Sequence, residues 1–189
     1  MYYDPYGYAA GAIIASVVVG LLVAVAIYVV TALFLRKIFE KAGVANPNVA
    51  WIPVYNVLIF AKLGDINPLI YLAAVAINII PFLNYIAWII PAALFIAIAY
   101  RVNLKLQKDP VPFTIFAALL SIIWLGVIAF GQGVWNTASK PVAGVAPVPP
   151  PPWATQAWLM DTTTWGGVPF QGYAATPPTA PPPAAPPAA

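Results

Sequence analysis

The sequence predicts an all-α membrane protein with about four transmembrane helices, one short interfacial or re-entrant segment and a disordered, proline-rich C-terminal tail. Three observations predict it. The chain is 62% hydrophobic and only 7% charged, against about 25% charged residues in a soluble domain. Seven of its eight cations fall into three groups: Arg36, Lys37 and Lys41; Lys62; and Arg101, Lys105 and Lys108. Between these groups run uncharged stretches long enough to cross a bilayer.

The first stretch, residues 11–34, holds 24 residues without a charge, roughly 36 Å of helix against a hydrocarbon core of about 30 Å. It predicts a span, with the helix continuing through Arg36 to Lys41 and stopping at Gly43. Asn46-Pro47-Asn48 reads as a turn. Residues 50–61 are apolar but short and are interrupted by Pro53 and Asn56, which suits an interfacial or re-entrant segment. Trp51 and Tyr55 fit a headgroup-level position.

Residues 66–100 form an uncharged run of 35. As one helix this would measure roughly 52 Å, too long for one span. Pro81 lies near its middle, and Asn84 follows as a candidate N-cap. Two helices over 67–80 and 84–100, joined by a tight turn, are expected. Residues 112–131 form the fourth span, with proline in the first turn.

Short basic loops remain cytoplasmic. Four spans therefore place all three cation groups inside, and residues 1–10 and the C-terminal tail outside the cytoplasm. An alternative arrangement, in which 46–61 crosses and 66–100 crosses once, moves Lys62 and Asp65 outside but leaves both termini where they were. The basic groups could also attract anionic lipid, by about 1 kcal/mol per cation. No cation precedes Arg36, so the N-terminus does not read as a cleavable signal.

Composition changes at residue 135. The segment 135–189 carries fourteen of the twenty-two prolines, in runs that favour extended polyproline II. Trp153, Trp158, Trp165, Phe170 and Tyr173 are scattered through it.

Two candidate motifs stand out. Ile52-Pro53-Val54-Tyr55-Asn56 and Ile80-Pro81-Phe82-Leu83-Asn84 share the pattern I-P-x-x-N. They fit either broken helices whose asparagines face a shared polar site, or prolines that end helices and asparagines that cap the next ones. Ala12, Ser16, Gly20 and Ala24 recur every four residues in the first span. Such a stripe lets helix backbones approach closely, whether those of a partner, of a second copy or of the protein's own spans.

The order Trp51-Ile52-Pro53-x-Tyr55-Asn56, then Lys62-x-Gly64, then Pro81 and Asn84, resembles a family of small bacterial membrane proteins. That family is known as a domain of unknown function and is sometimes found fused to signal peptidases. The resemblance covers roughly residues 15–131. It implies an integral membrane protein and supplies no reaction and no catalytic residue.

Histidine and cysteine are absent, which removes the usual metal ligands, the commonest general base and thiolate chemistry. Ser16, Ser121 and Ser139 have no histidine to activate them, and no lysine is predicted near the first two. Asp65 and Asp109 read as solvated loop charges rather than an acid–base dyad, and Asn78 as an interhelical hydrogen-bonding group. The cations flank apolar runs and form no nucleic-acid face. The expectation is a non-enzymatic accessory or scaffold protein of a bacterial plasma membrane. It has no cofactor or metal, and its partners are the lipid bilayer and a protein or second copy met through its helices. A small transporter or channel component built on the two I-P-x-x-N breaks is the alternative.

Overall fold

A computed structural model describes residues 5–156 and 158–159. Among these the fold is all-helical. Helix α1 runs Pro5–Ala42, a 3-10 turn occupies Pro47–Trp51, and α2 follows over Pro53–Leu63. Then come α3 at Pro68–Ala76, a 3-10 turn at Ile77–Ile79, α4 at Asn84–Ala87 and α5 at Ile89–Lys105. Helices α6, Pro110–Leu119, and α7, Ser121–Phe130, complete the set.

Proline and backbone geometry set these boundaries. Helices α2, α3 and α6 each begin with proline in the first turn, where its missing N–H is not needed. Helices α1, α2 and α5 end in one motif: a left-handed residue followed by a backbone bond that reaches back five residues. The left-handed residues are Gly43, Asp65 and Gln107, with φ of 78°, 62° and 56°. The closing bonds run from Val44 N–H to Phe39 O, Ile66 N–H to Ala61 O and Lys108 N–H to Asn103 O, at 3.0, 3.1 and 2.9 Å.

The expected span count is not reproduced. Two stretches, Ala9–Ala42 and Asn84–Lys105, are helical, long and apolar enough to cross a membrane. The segment expected to span at 112–131 is instead two helices of 10 residues each, separated at Leu120, whose φ is −136° and ψ 56°. Each arm measures about 15 Å, half of a bilayer core. The turn expected at Pro81–Asn84 is present, but the helices around it differ from 67–80 and 84–100. The first gives way to a 3-10 turn at Ile77, whereas the second runs on to Lys105 with a local irregularity at Trp88, whose φ of −61° and ψ of −22° remain helical.

The segment expected to be interfacial, 50–61, is divided: residues 51–54 are exposed, and its second half packs inside the protein. Leu58, Ile59, Phe60, Ala61 and Leu63 of α2 are buried. They join Ile38 and Phe39 of α1, Ile98 and Val102 of α5, and Trp124 and Ile128 of α7 in the core. This core gathers at one end of the molecule. Residues 9–27 of α1 are exposed throughout, so about 28 Å of apolar helix projects beyond it.

The tail is not free from its start. Trp135, Asn136 and Thr137 are buried, and residues 135–156 with 158–159 lie as a strap across the ends of α1, α2 and α5. Asn136 N–H bonds Lys105 O at 2.6 Å, and Leu159 O accepts from Asn67 N–H at 2.8 Å. Lys140 Nζ donates to Lys41 O at 3.0 Å. That contact puts the beginning of the tail beside the first basic group, which does not fit the expected placement of the two on opposite sides of a bilayer. The remainder of the expected tail, residues 160–189, and Met1 to Asp4 of the expected N-terminal segment lie outside the described residues.

Candidate functional site

The polar residues of this apolar chain concentrate where the helix ends meet the strap. Asp65 owes its place to the left-handed turn that ends α2. Its carboxylate accepts from Arg101 Nε on one oxygen and from Lys105 Nζ on the other, both at 2.6 Å. Arg101 and Lys105 lie four apart on α5, so one helix face delivers both cations. All three side chains are 1–2% exposed. Lys105 Nζ also donates to Leu63 O at 2.6 Å and lies 5.7 Å from the centre of the Trp135 ring. The strap completes the enclosure, with Trp153 Nε1 donating to the backbone oxygen of Asp65 at 3.0 Å.

A second polar set lies beside the first. Asn103 Oδ1 accepts from Trp124 Nε1 at 3.0 Å, and its Nδ2 donates to Thr114 Oγ1 at 3.3 Å. One α5 amide thus ties α6 and α7 together at the same height. A third set joins α1 to α7: Lys41 Nζ donates to Ile128 O at 2.8 Å and Gly131 O at 2.5 Å.

The Asp65 and Asn103 sets are buried, and the Lys41 set is half-buried. A carboxylate held by two cations inside a sealed core is a clamp, with no open face toward a substrate. Among the described residues no group of three or more metal-ligating side chains occurs. A groove runs between α1 and α2. It has a volume of about 560 Å³ and is lined by Ala24, Ile27, Tyr28, Thr31, Pro53 and Asn56 among others. Its polar atoms are already engaged. Tyr28 OH donates to Trp51 O at 2.6 Å, Thr31 Oγ1 to Ile27 O at 2.8 Å and Asn56 Nδ2 to Ala50 O at 3.0 Å.

The sequence motifs fare differently. Pro53 opens α2, and Asn56 is buried, holding α2 to the preceding 3-10 turn rather than capping a helix. Pro81 and Asn84 are exposed. Asn84 opens α4, and its cap position, Leu83, makes no side-chain capping bond. The two asparagines therefore share no polar site, and neither caps. Ala12, Ser16 and Gly20 are exposed on the projecting part of α1, whereas Ala24 reaches the groove. A Cβ at Gly20 would meet nothing within 4 Å. Asn78 bonds its own helix at Ala74 O, 2.9 Å away.

Sequence reasoning missed the Asp65 clamp. Asp65 was expected to be a solvated charge, yet it is buried. The available signal was Arg101 and Lys105 four residues apart at the end of an apolar helix. Two like charges at that spacing repel unless a carboxylate lies between them. Comparison with protein-family profiles, curated proteins and solved structures gives no match.

Proposed function

We propose that the protein is a non-enzymatic accessory or scaffold protein of a membrane, which holds a partner through the projecting part of α1. The bacterial plasma membrane as its setting comes from the family resemblance. One observation carries the proposal. Residues 9–27 of α1 are apolar and exposed, and α2 approaches them in their last turn, where Ala24 and Ile27 line the groove. The rod belongs to the uncharged stretch 11–34, roughly 36 Å of helix and long enough for a hydrocarbon core of about 30 Å. Along one line it offers Ala12, Ser16 and Gly20, which admit a second helix at close range.

The sealed clamp favours a structural role for the polar residues over a catalytic one. A transporter built on the I-P-x-x-N breaks draws less support, because the Asn56 amide is engaged and Asn84 lies apart from it at an exposed turn.

The test is affinity purification from membranes in mild detergent, comparing the native chain with Gly20→Leu and Val18→Leu. Gly20→Leu fills the small-residue line, and Val18→Leu adds bulk on the opposite side of the same helix. A partner or second copy that is retained by Val18→Leu and lost by Gly20→Leu supports the proposal. Recovery of the bare monomer from the native chain counts against it.

A further inference from the structure

We infer that α6 and α7 form a re-entrant hairpin seated in the bilayer leaflet next to the basic groups, so that the strap and the tail leave on the same side as Arg36, Lys37 and Lys41. The inference rests on α1 crossing the membrane. It replaces the single crossing expected over 112–131.

The path of the chain carries it. Helix α6 starts just after α5 ends, and α7 returns to the same place. At the base, Gln107 Nε2 donates to Val134 O at 3.0 Å, and Asn136 N–H bonds Lys105 O at 2.6 Å. A Cβ at Gly133 would lie 2.7 Å from Leu106 O. Lys41, at the end of α1, grips the carbonyls of Ile128 and Gly131. Midway, Thr114 of α6 and Trp124 of α7 meet the same Asn103. The two arms therefore run side by side and antiparallel.

Depth and chemistry identify what surrounds the tip. Each arm of 10 residues reaches about 15 Å, one leaflet of a core about 30 Å thick. Helix α7 lies against α1, with the Phe34 and Phe130 rings edge to face at 5.8 Å, so the tip ends part-way along the membrane-crossing stretch of α1. Leu119 is 75% exposed, and Leu120, Ile122 and Ile123 are exposed beside it. No charged residue lies between Asp109 and Lys140. The break itself leaves Leu120 satisfied, since its N–H bonds Phe116 O and its carbonyl accepts from Trp124 N–H, both at 2.8 Å. Leu120 is thus bonded on both sides, and the side chains around it are apolar, as acyl chains require.

The chain has no cysteine, so single cysteines report cleanly. Ala10→Cys and Asn48→Cys mark the two ends of α1; Ser139→Cys, with Ala143→Cys as a second probe, marks the strap. Each full-length variant is labelled in intact cells with a membrane-impermeant maleimide, before and after permeabilisation. The strap cysteines are expected to follow Asn48→Cys and to oppose Ala10→Cys, with at least tenfold different labelling in intact cells. Strap cysteines that follow Ala10→Cys overturn the hairpin while leaving α1 as a crossing. Equal labelling of Ala10→Cys and Asn48→Cys removes the crossing itself, and the inference with it. A bimane on Leu119→Cys, in vesicles of lipids with nitroxide-labelled chains, should be quenched. An unquenched tip would mean that a protein covers it and would overturn the lipid seat.

Discussion

Asp65→Asn is the sharpest probe of what holds the helix ends together. Asparagine has the same shape, tolerates the left-handed conformation at φ 62° and keeps one carbonyl oxygen. What it removes is the charge shared by Arg101 Nε and Lys105 Nζ, each 2.6 Å away. With all three side chains only 1–2% exposed, solvent cannot screen the two cations that remain. Removing one member of such a buried set costs about 3–5 kcal/mol. For a chain of this size that corresponds to a fall in Tm of roughly 6–20 °C. The assay is thermal unfolding in mild detergent, followed by the fluorescence of Trp124, Trp135 and Trp153. A second variant, Asp65→Asn with Arg101→Met and Lys105→Met, removes all three charges and should recover all but about 1–2 kcal/mol, since apolar replacement of a complete buried set is often neutral. The reasoning fails if Asp65→Asn unfolds within about 1 kcal/mol of the native chain. It also fails if the Asp65, Arg101 and Lys105 effects simply add, because groups in contact must couple.

Two further substitutions test the packing around this clamp. Gly64→Ala places a Cβ 2.6 Å from the Ile98 backbone, so α2 and α5 must separate, at a cost of about 1–3 kcal/mol; Gly11→Ala, in open space, serves as the control, and both are read as Tm shifts. Trp153→Phe keeps the ring but removes the donor to Asp65 O; it should lower stability by about 1 kcal/mol and speed protease cleavage of the strap, measured on gels.

How much of this was visible in the residues depends on how local the cause is. Gly43 and the Pro81–Asn84 turn were legible because glycine and proline act on their own backbone. The all-helical, apolar character was legible because it is a sum over many side chains. The break at Leu120 was not. It carries no proline or glycine, and a run of apolar residues reads identically as one span or as two half-length arms. Only Ser121 and the distant Asn103, which binds both arms, mark the fold. Asp65 was hidden for a related reason: an aspartate after a helix reads as solvated unless the cations that enclose it, 36 and 40 residues on, are brought back by the fold. The strap was masked by its proline content, which describes the average of the tail and not its anchors Trp135 and Trp153. The candidate motifs were visible as spacing, but spacing along the chain could not say that Asn56 and Asn84 lie apart.

The cations then turn out to have two physical roles at once, and the second constrains the first. As charges beside apolar helices they resist transfer across a bilayer, which is why counting them orients the chain. As hydrogen-bond donors they tie distant segments into one layer: Lys41 to α7, Lys140 to the end of α1, Lys105 to the end of α2. Atoms 3.0 Å apart cannot lie on opposite sides of a membrane. Between Lys41 and Lys140 the chain must therefore cross an even number of times, zero or two. Both arrangements expected from hydropathy alone contain three crossings in that interval. The inferred hairpin drops the crossing over 112–131, whose two arms are each too short to make it. Hydropathy reports which residues tolerate lipid, whereas the Lys41 and Lys140 contacts report parity, and parity decides on which side the tail emerges.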